Sequence, residues 1–122
     1  MPKLLIVDDE IDVREFAKRF FVKRKIDVFT ASGGLDALKI IAQDEPDLVL
    51  LDVQMEEFSG IEVLKKLRED QNNIKVIMVT GAEDPAIINE ANSLGAKGYI
   101  HKPLVLEELE KIVMDELSAV GG

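Results

Sequence analysis

Asp47-Leu48-Val49-Leu50-Leu51-Asp52 decides the fold. Four consecutive apolar residues bounded by acids suit a strand buried on both faces, as in a parallel sheet covered by helices on each side. Asp52 then falls at the carboxyl end of that strand, where open α/β sheets bind their ligands. Three further apolar runs end in polar residues whose chemistry complements a carboxylate. Leu4-Leu5-Ile6-Val7 runs into Asp8-Asp9, Val76-Ile77-Met78-Val79 into Thr80, and Tyr99-Ile100-His101 into Lys102. The pattern predicts acids, a hydroxyl and an ammonium at one edge of one sheet. Each residue alone has a bland reading: Asp8 or Asp9 as a helix cap, Thr80 as a strand-end hydroxyl on backbone, Lys102 as a solvated base. Four such residues ending four different strands are harder to ascribe to accident.

The segments between these runs have helical periodicity. Residues 10–25 place Val13, Phe16, Ala17, Phe20 and Phe21 at steps of three and four, with bases between them. A short strand at 27–30 precedes a turn at Ala31-Ser32-Gly33-Gly34 and a helix over 35–43. An irregular loop, 53–60, follows Asp52, then a helix with Ile61, Leu64 and Leu67 inward. Asp84 is a candidate N-cap with Pro85 at the first helical position, and Gly95 suits a left-handed helix end. The last helix uses Leu106, Leu109, Ile112, Val113 and Leu117, with 119–122 expected to fray. Five strands alternating with five helices over short loops imply right-handed crossovers and a parallel sheet of order 2-1-3-4-5, doubly wound. Its switch point lies between strands one and three, where Asp8, Asp9 and Asp52 meet.

A chain of 122 residues fits one domain. Its net charge of −9, from 24 acids and 15 bases, disfavours a nucleic-acid binder that neutralises phosphates and favours cationic partners. No cysteine is present, which excludes disulfides, thiolate metal sites and cysteine nucleophiles. No apolar stretch approaches the ~20 residues of a membrane span, and a cytoplasmic location is expected. Clustered carboxylates repel one another, and a hard divalent cation such as Mg²⁺ removes the difficulty. With a lysine and a hydroxyl opposite, the group reads as a phosphoryl-transfer site in which Asp52 itself is the candidate nucleophile.

Ile6-Val7-Asp8-Asp9-Glu10, Leu50-Leu51-Asp52-Val53-Gln54-Met55, Val79-Thr80-Gly81 and Gly95-Ala96-Lys97-Gly98-Tyr99-Ile100-His101-Lys102-Pro103 together resemble the receiver domain of two-component response regulators, over essentially the whole chain. The resemblance implies a flavodoxin-like single domain over 1–122 with no output domain, and no enzymatic turnover beyond its own phosphorylation and dephosphorylation. It implies Asp52 as phosphoacceptor, charged by a histidine kinase or phosphotransfer protein. Asp9, Asp52 and the backbone carbonyl of Gln54 would bind Mg²⁺, or Mn²⁺ in its place, with Asp8 acting through water. Lys102 would pair with the phosphoryl group, Thr80 would hydrogen-bond it, and the Lys102-Pro103 peptide would be cis. Thr80 and Tyr99 would form a switch that repacks the face of the fourth helix, fifth strand and fifth helix. That face would serve a downstream effector, an output domain or a phosphorylation-dependent homodimer. The bland reading of Tyr99 is a half-buried ring with its hydroxyl in water.

Three departures from the family pattern stand out. Glu56 follows Met55 where proline is common, so the loop is expected to be more mobile without metal. Gly81 loosens the turn after Thr80. Gln54 and Ala82 flank the expected path of attacking water. Two alternatives compete: a receiver-like interaction module that is not phosphorylated, and a haloacid-dehalogenase-type phosphatase. The phosphatase reading wants a second acid two residues after the nucleophile, where this chain has Gln54.

Overall fold

The computed structural model describes residues 1–55, 58–81 and 84–120, the last two of them without their side chains. Among these residues strands and helices alternate as β1 (Lys3–Val7), α1 (Ile11–Val22), β2 (Asp27–Ala31), α2 (Gly34–Asp44), β3 (Leu48–Asp52), α3 (Gly60–Glu69), β4 (Lys75–Thr80), α4 (Pro85–Ser93), β5 (Gly98–His101) and α5 (Leu106–Val120). All strand pairs are parallel, in the order β2-β1-β3-β4-β5. The fold is the doubly wound α/β sheet expected from the sequence.

Period-two alternation divides the core into two layers. Leu5, Val7, Val49, Leu51, Val76 and Met78 pack against Ala37, Ile41, Val63, Leu64, Leu67 and Ala91 of α2, α3 and α4. Leu4, Ile6, Leu48, Leu50, Ile77, Val79 and Ile100 pack against Ala17, Phe21, Leu109, Val113 and Leu117 of α1 and α5. Every residue of β3 is buried, as its unbroken apolar run requires. Burying each such Leu or Val stabilises the fold by roughly 1.5–3 kcal/mol before conformational entropy is counted.

Several local expectations are corrected. α1 stops at Val22 rather than running to 25, because Ile26 is drawn into the core and the chain reverses through Lys25 at a φ of 63°. Phe16, expected inward, is 45% exposed, and Leu106 also stands at the surface. The α5 backbone stays helical through Val120, so fraying does not begin at 119. The expectations placed on Glu56, Ala82 and the chain end at 121–122 lie outside the described residues. Asp84 does cap α4, its Oδ1 accepting the Ala86 N–H at 3.0 Å, with Pro85 next. Gly95 ends that helix at a φ of 80°, a conformation that costs a side-chain-bearing residue dearly.

Candidate functional site

The β1–β3 register pairs Val7 with Leu51, so the next residues, Asp8 and Asp52, emerge side by side at the sheet edge. In β4, Val79 pairs with Asp52, and Thr80 pairs with His101 of β5. Lys102 is the residue after that, and its N–H donates to the Thr80 carbonyl at 2.8 Å. Counting in twos from Ile6, Leu50 and Ile100 puts Asp8, Asp52 and Lys102 on the α1/α5 side of the sheet. Counting from Met78 puts Thr80 with Tyr99 on the α4 side.

Lys102 binds this group together. Its Nζ lies 3.0 Å from Asp8 Oδ2, 3.1 Å from Asp52 Oδ2 and 3.6 Å from Glu10 Oε1. The other Asp52 oxygen, Oδ1, accepts the Gln54 N–H at 3.1 Å. Asp8 Oδ1 accepts the Glu10 N–H at 2.9 Å, so part of its bland role, shaping the start of α1, is real. Asp8 and Asp52 are 2% and 1% exposed, an unusual depth for acids, and Thr80 is 3% exposed.

Burial, followed by repulsion from Asp8, raises the Asp52 carboxyl from 3.8 to about 6, against the opposing pull of Lys102 and the Gln54 N–H. For Lys102, burial alone would lower the proton affinity. Hydrogen bonds and attraction to Asp8 and Asp52 together outweigh it, and its pKa is raised. The ammonium stays charged, and a deeply buried carboxylate stands against it.

The donors fit a hard divalent cation. Carboxylate oxygens of Asp8, Asp9 and Glu10 lie within 4.8 Å of one another, with Asp9 and Glu10 exposed to admit an ion. An all-oxygen, acid-rich set is the kind Mg²⁺ prefers. Glu10 is the member that sequence reasoning used only as part of a motif. Its signal was adjacency to Asp8-Asp9 at a helix start, which fixes no side-chain direction.

The loop after Asp52 is held by backbone. Gly60 donates its N–H to Val53 O at 3.0 Å, and a Cβ on Gly60 would sit 2.3 Å from the Asp52 carbonyl oxygen. Only glycine allows that approach. Ser59 caps α3 by accepting the Glu62 N–H at 3.2 Å, and donates its hydroxyl to Glu62 Oε1 at 3.4 Å. The Ser-x-x-Glu spacing marks this helix start in the sequence, although the glutamate meets the serine hydroxyl rather than its backbone N–H. Tyr99 is half-buried, as its bland reading has it, but its hydroxyl is not left to water. That hydroxyl donates to Ile88 O of α4 at 2.5 Å, and burial raises its pKa. The Lys102-Pro103 peptide is cis.

Fold and site together define a doubly wound α/β domain whose switch-point edge holds a buried aspartate between a second acid and a lysine. The chain belongs to the response regulator receiver domains: the family profile of that description matches residues 4–114. It is 38% identical over 111 residues to sporulation initiation phosphotransferase F of Bacillus subtilis, covering 91% of this chain and 90% of that protein. It is 36% identical over 115 residues to the regulatory protein AtoC of Escherichia coli, covering 94% of this chain but only 25% of that longer one. Among solved structures it matches the Francisella response regulator 1452 receiver domain with a TM-score of 0.91 at 29% identity, covering 98% and 99% of the two chains. The response regulator TrrA of Thermotoga maritima, solved in complex with Mg²⁺-BeF, matches with a TM-score of 0.85 at 31% identity, covering 96% and 100%.

Proposed function

We propose that Asp52 accepts a phosphoryl group from the phosphohistidine of a histidine kinase or phosphotransfer protein. The observation that carries the reading is the Lys102 ammonium shared between the buried Asp8 and Asp52 carboxylates. In the transfer an Asp52 oxygen forms the new O–P bond as the P–N bond breaks, and the imidazole leaves with a proton from solvent. Lys102 then exchanges its Asp52 contact for a phosphoryl oxygen, and Asp8 keeps it in place. The Thr80 hydroxyl hydrogen-bonds a second phosphoryl oxygen from the α4 side. Asp9, Asp52 and the Gln54 carbonyl, with Asp8 through water, would hold Mg²⁺ or Mn²⁺, which when bound neutralises charge on the phosphoryl oxygens. That a Thermotoga relative was solved in complex with Mg²⁺-BeF supports a divalent cation at this kind of site.

The movement of Thr80 draws Tyr99 away from Ile88 O and alters the face of α4, β5 and α5. That face serves a downstream effector, an output domain or a homodimer. Turnover is limited to gain and hydrolysis of the protein's own phosphoryl group. The acidic chain makes no direct nucleic-acid contact of its own, and the setting is cytoplasmic. Among the described residues no helix is long and apolar enough to cross a membrane.

Intact-mass spectrometry after incubation with acetyl phosphate tests this. One phosphoryl adduct is expected, dependent on Mg²⁺ and absent in Asp52→Asn. An adduct that persists in the variant would overturn the assignment. Failure to form either an adduct or a beryllium fluoride complex would overturn the phosphorylation reading itself.

A further inference from the structure

Arg68, in the last turn of α3, takes no part in the site described above. Its guanidinium donates to four backbone carbonyls: Leu94 O at 2.6 Å from Nε, Asn72 O at 2.8 Å and Ile74 O at 3.0 Å from Nη1, and Gly95 O at 3.4 Å from Nη2. Two of these acceptors belong to the C-terminal end of α4 and two to the turn between α3 and β4. One planar cation thus ties the carbonyls at a helix end, where the helix dipole also favours positive charge, to the turn that leads into β4. The chain beyond α4 is pinned as well, the Ala96 N–H donating to Ala91 O at 3.0 Å and the Lys97 N–H to Val76 O at 2.8 Å.

The other end of α4 is held differently. Only Ala91 of this nine-residue helix is fully buried, with Ile87 packed part-buried against the core. Among the described residues, Asp84 caps the helix from within its own segment, and the Tyr99 hydroxyl reaches it from the sheet on Ile88 O. A helix fixed firmly at one end and lightly at the other responds to a push as a lever.

We propose that Arg68 is the positioning residue that fixes the C-terminal end of α4, so that α4 answers a charge change at Asp52 by swinging its Pro85 end about a pivot at Leu94 and Gly95. The inference rests on the phosphoacceptor reading for its trigger, but the anchor does not depend on it.

Hydrogen exchange of the full chain, with and without Mg²⁺ and beryllium fluoride, tests both parts. In the wild type the fluoride complex should change exchange over 85–90 and leave amides 94–97 within twofold of their metal-free rates. In Arg68→Met, amides 94–97 should exchange at least tenfold faster even in EDTA, and the fluoride-induced change should spread across them. Arg68→Lys, which retains charge but not the fork, should fall between, at roughly threefold, and it carries the test if the methionine variant does not fold. A merely stabilising arginine would raise exchange everywhere without moving where the fluoride response falls, and that result overturns the pivot. So does a wild-type response centred on 93–97, or no response in α4 at all. Rates at 94–97 that are unchanged in Arg68→Met or, failing that, in Arg68→Lys overturn the anchor. The intact-mass assay reports on phosphorylation separately, so a failed trigger is distinguishable from a failed anchor.

Discussion

Replacing Asp52 with Asn should make the metal-free protein more stable at neutral pH. In the wild type this carboxyl is 1% exposed and its pKa stands at about 6 against an ordinary 3.8. A raised carboxyl pKa means that the folded state holds the proton more tightly than the unfolded state does. Stability is then greatest with Asp52 protonated and declines as pH rises from about 4 to about 6, after which the loss is complete. Roughly two units at about 1.4 kcal/mol each put the cost of the buried charge near 3 kcal/mol. Asn carries no charge but offers one oxygen where the carboxylate uses two, one for Gln54 and one for Lys102, while Lys102 keeps Asp8. A net gain of about 1–3 kcal/mol at pH 7.5 follows, shrinking to roughly half at pH 5. Urea unfolding of both proteins in EDTA, followed by circular dichroism, measures it. Comparing the two curves cancels contributions from carboxylates far from residue 52. Saturating Mg²⁺ should close the gap by stabilising the wild type alone, by about 2.7 kcal/mol at a hundredfold excess over Kd. Equal stabilities at pH 7.5, or a gap that does not change between pH 5 and 7.5, would refute the reasoning.

Gly60→Ala would push a methyl group into the Asp52 carbonyl and should cost about 3 kcal/mol in urea unfolding, with slower acetyl-phosphate labelling; a loss below 1 kcal/mol would show that the loop yields easily. Ser59→Ala removes the α3 cap and should cost about 1 kcal/mol in the same assay, with labelling unaffected. The chain has one tyrosine and no tryptophan, so its intrinsic fluorescence reports Tyr99 alone. Acrylamide quenching should fall about twofold in the Mg²⁺-beryllium fluoride complex if the ring turns inward, and unchanged quenching would sink the switch.

The sheet was legible because its signal is one-dimensional. Unbroken apolar runs such as Leu48-Val49-Leu50-Leu51 identify doubly covered strands, and parallel order then brings their ends together. The meeting of Asp8, Asp52 and Lys102 followed from that logic. What escaped depends on backbone atoms or on side-chain direction. The partners of Arg68 are carbonyls, which every residue possesses, so no residue pattern marks them. Gly60 is constrained by the Asp52 carbonyl, again invisible in sequence. Glu10 remains largely exposed, and its approach to Lys102 depends on how α1 begins. Phe16 followed the helical period yet stayed exposed, because periodicity marks a face without saying how far its partner layer extends.

The two-sided division of the sheet carries an engineering consequence. Asp8, Asp52 and Lys102 belong to one side and Thr80 with Tyr99 to the other, so under the phosphoacceptor reading the central strands stand between the acid–lysine cluster and the ring expected to respond to it. On that reading the two sides can be altered separately, with substitutions around Lys102 followed by the mass assay and substitutions around Tyr99 by its fluorescence.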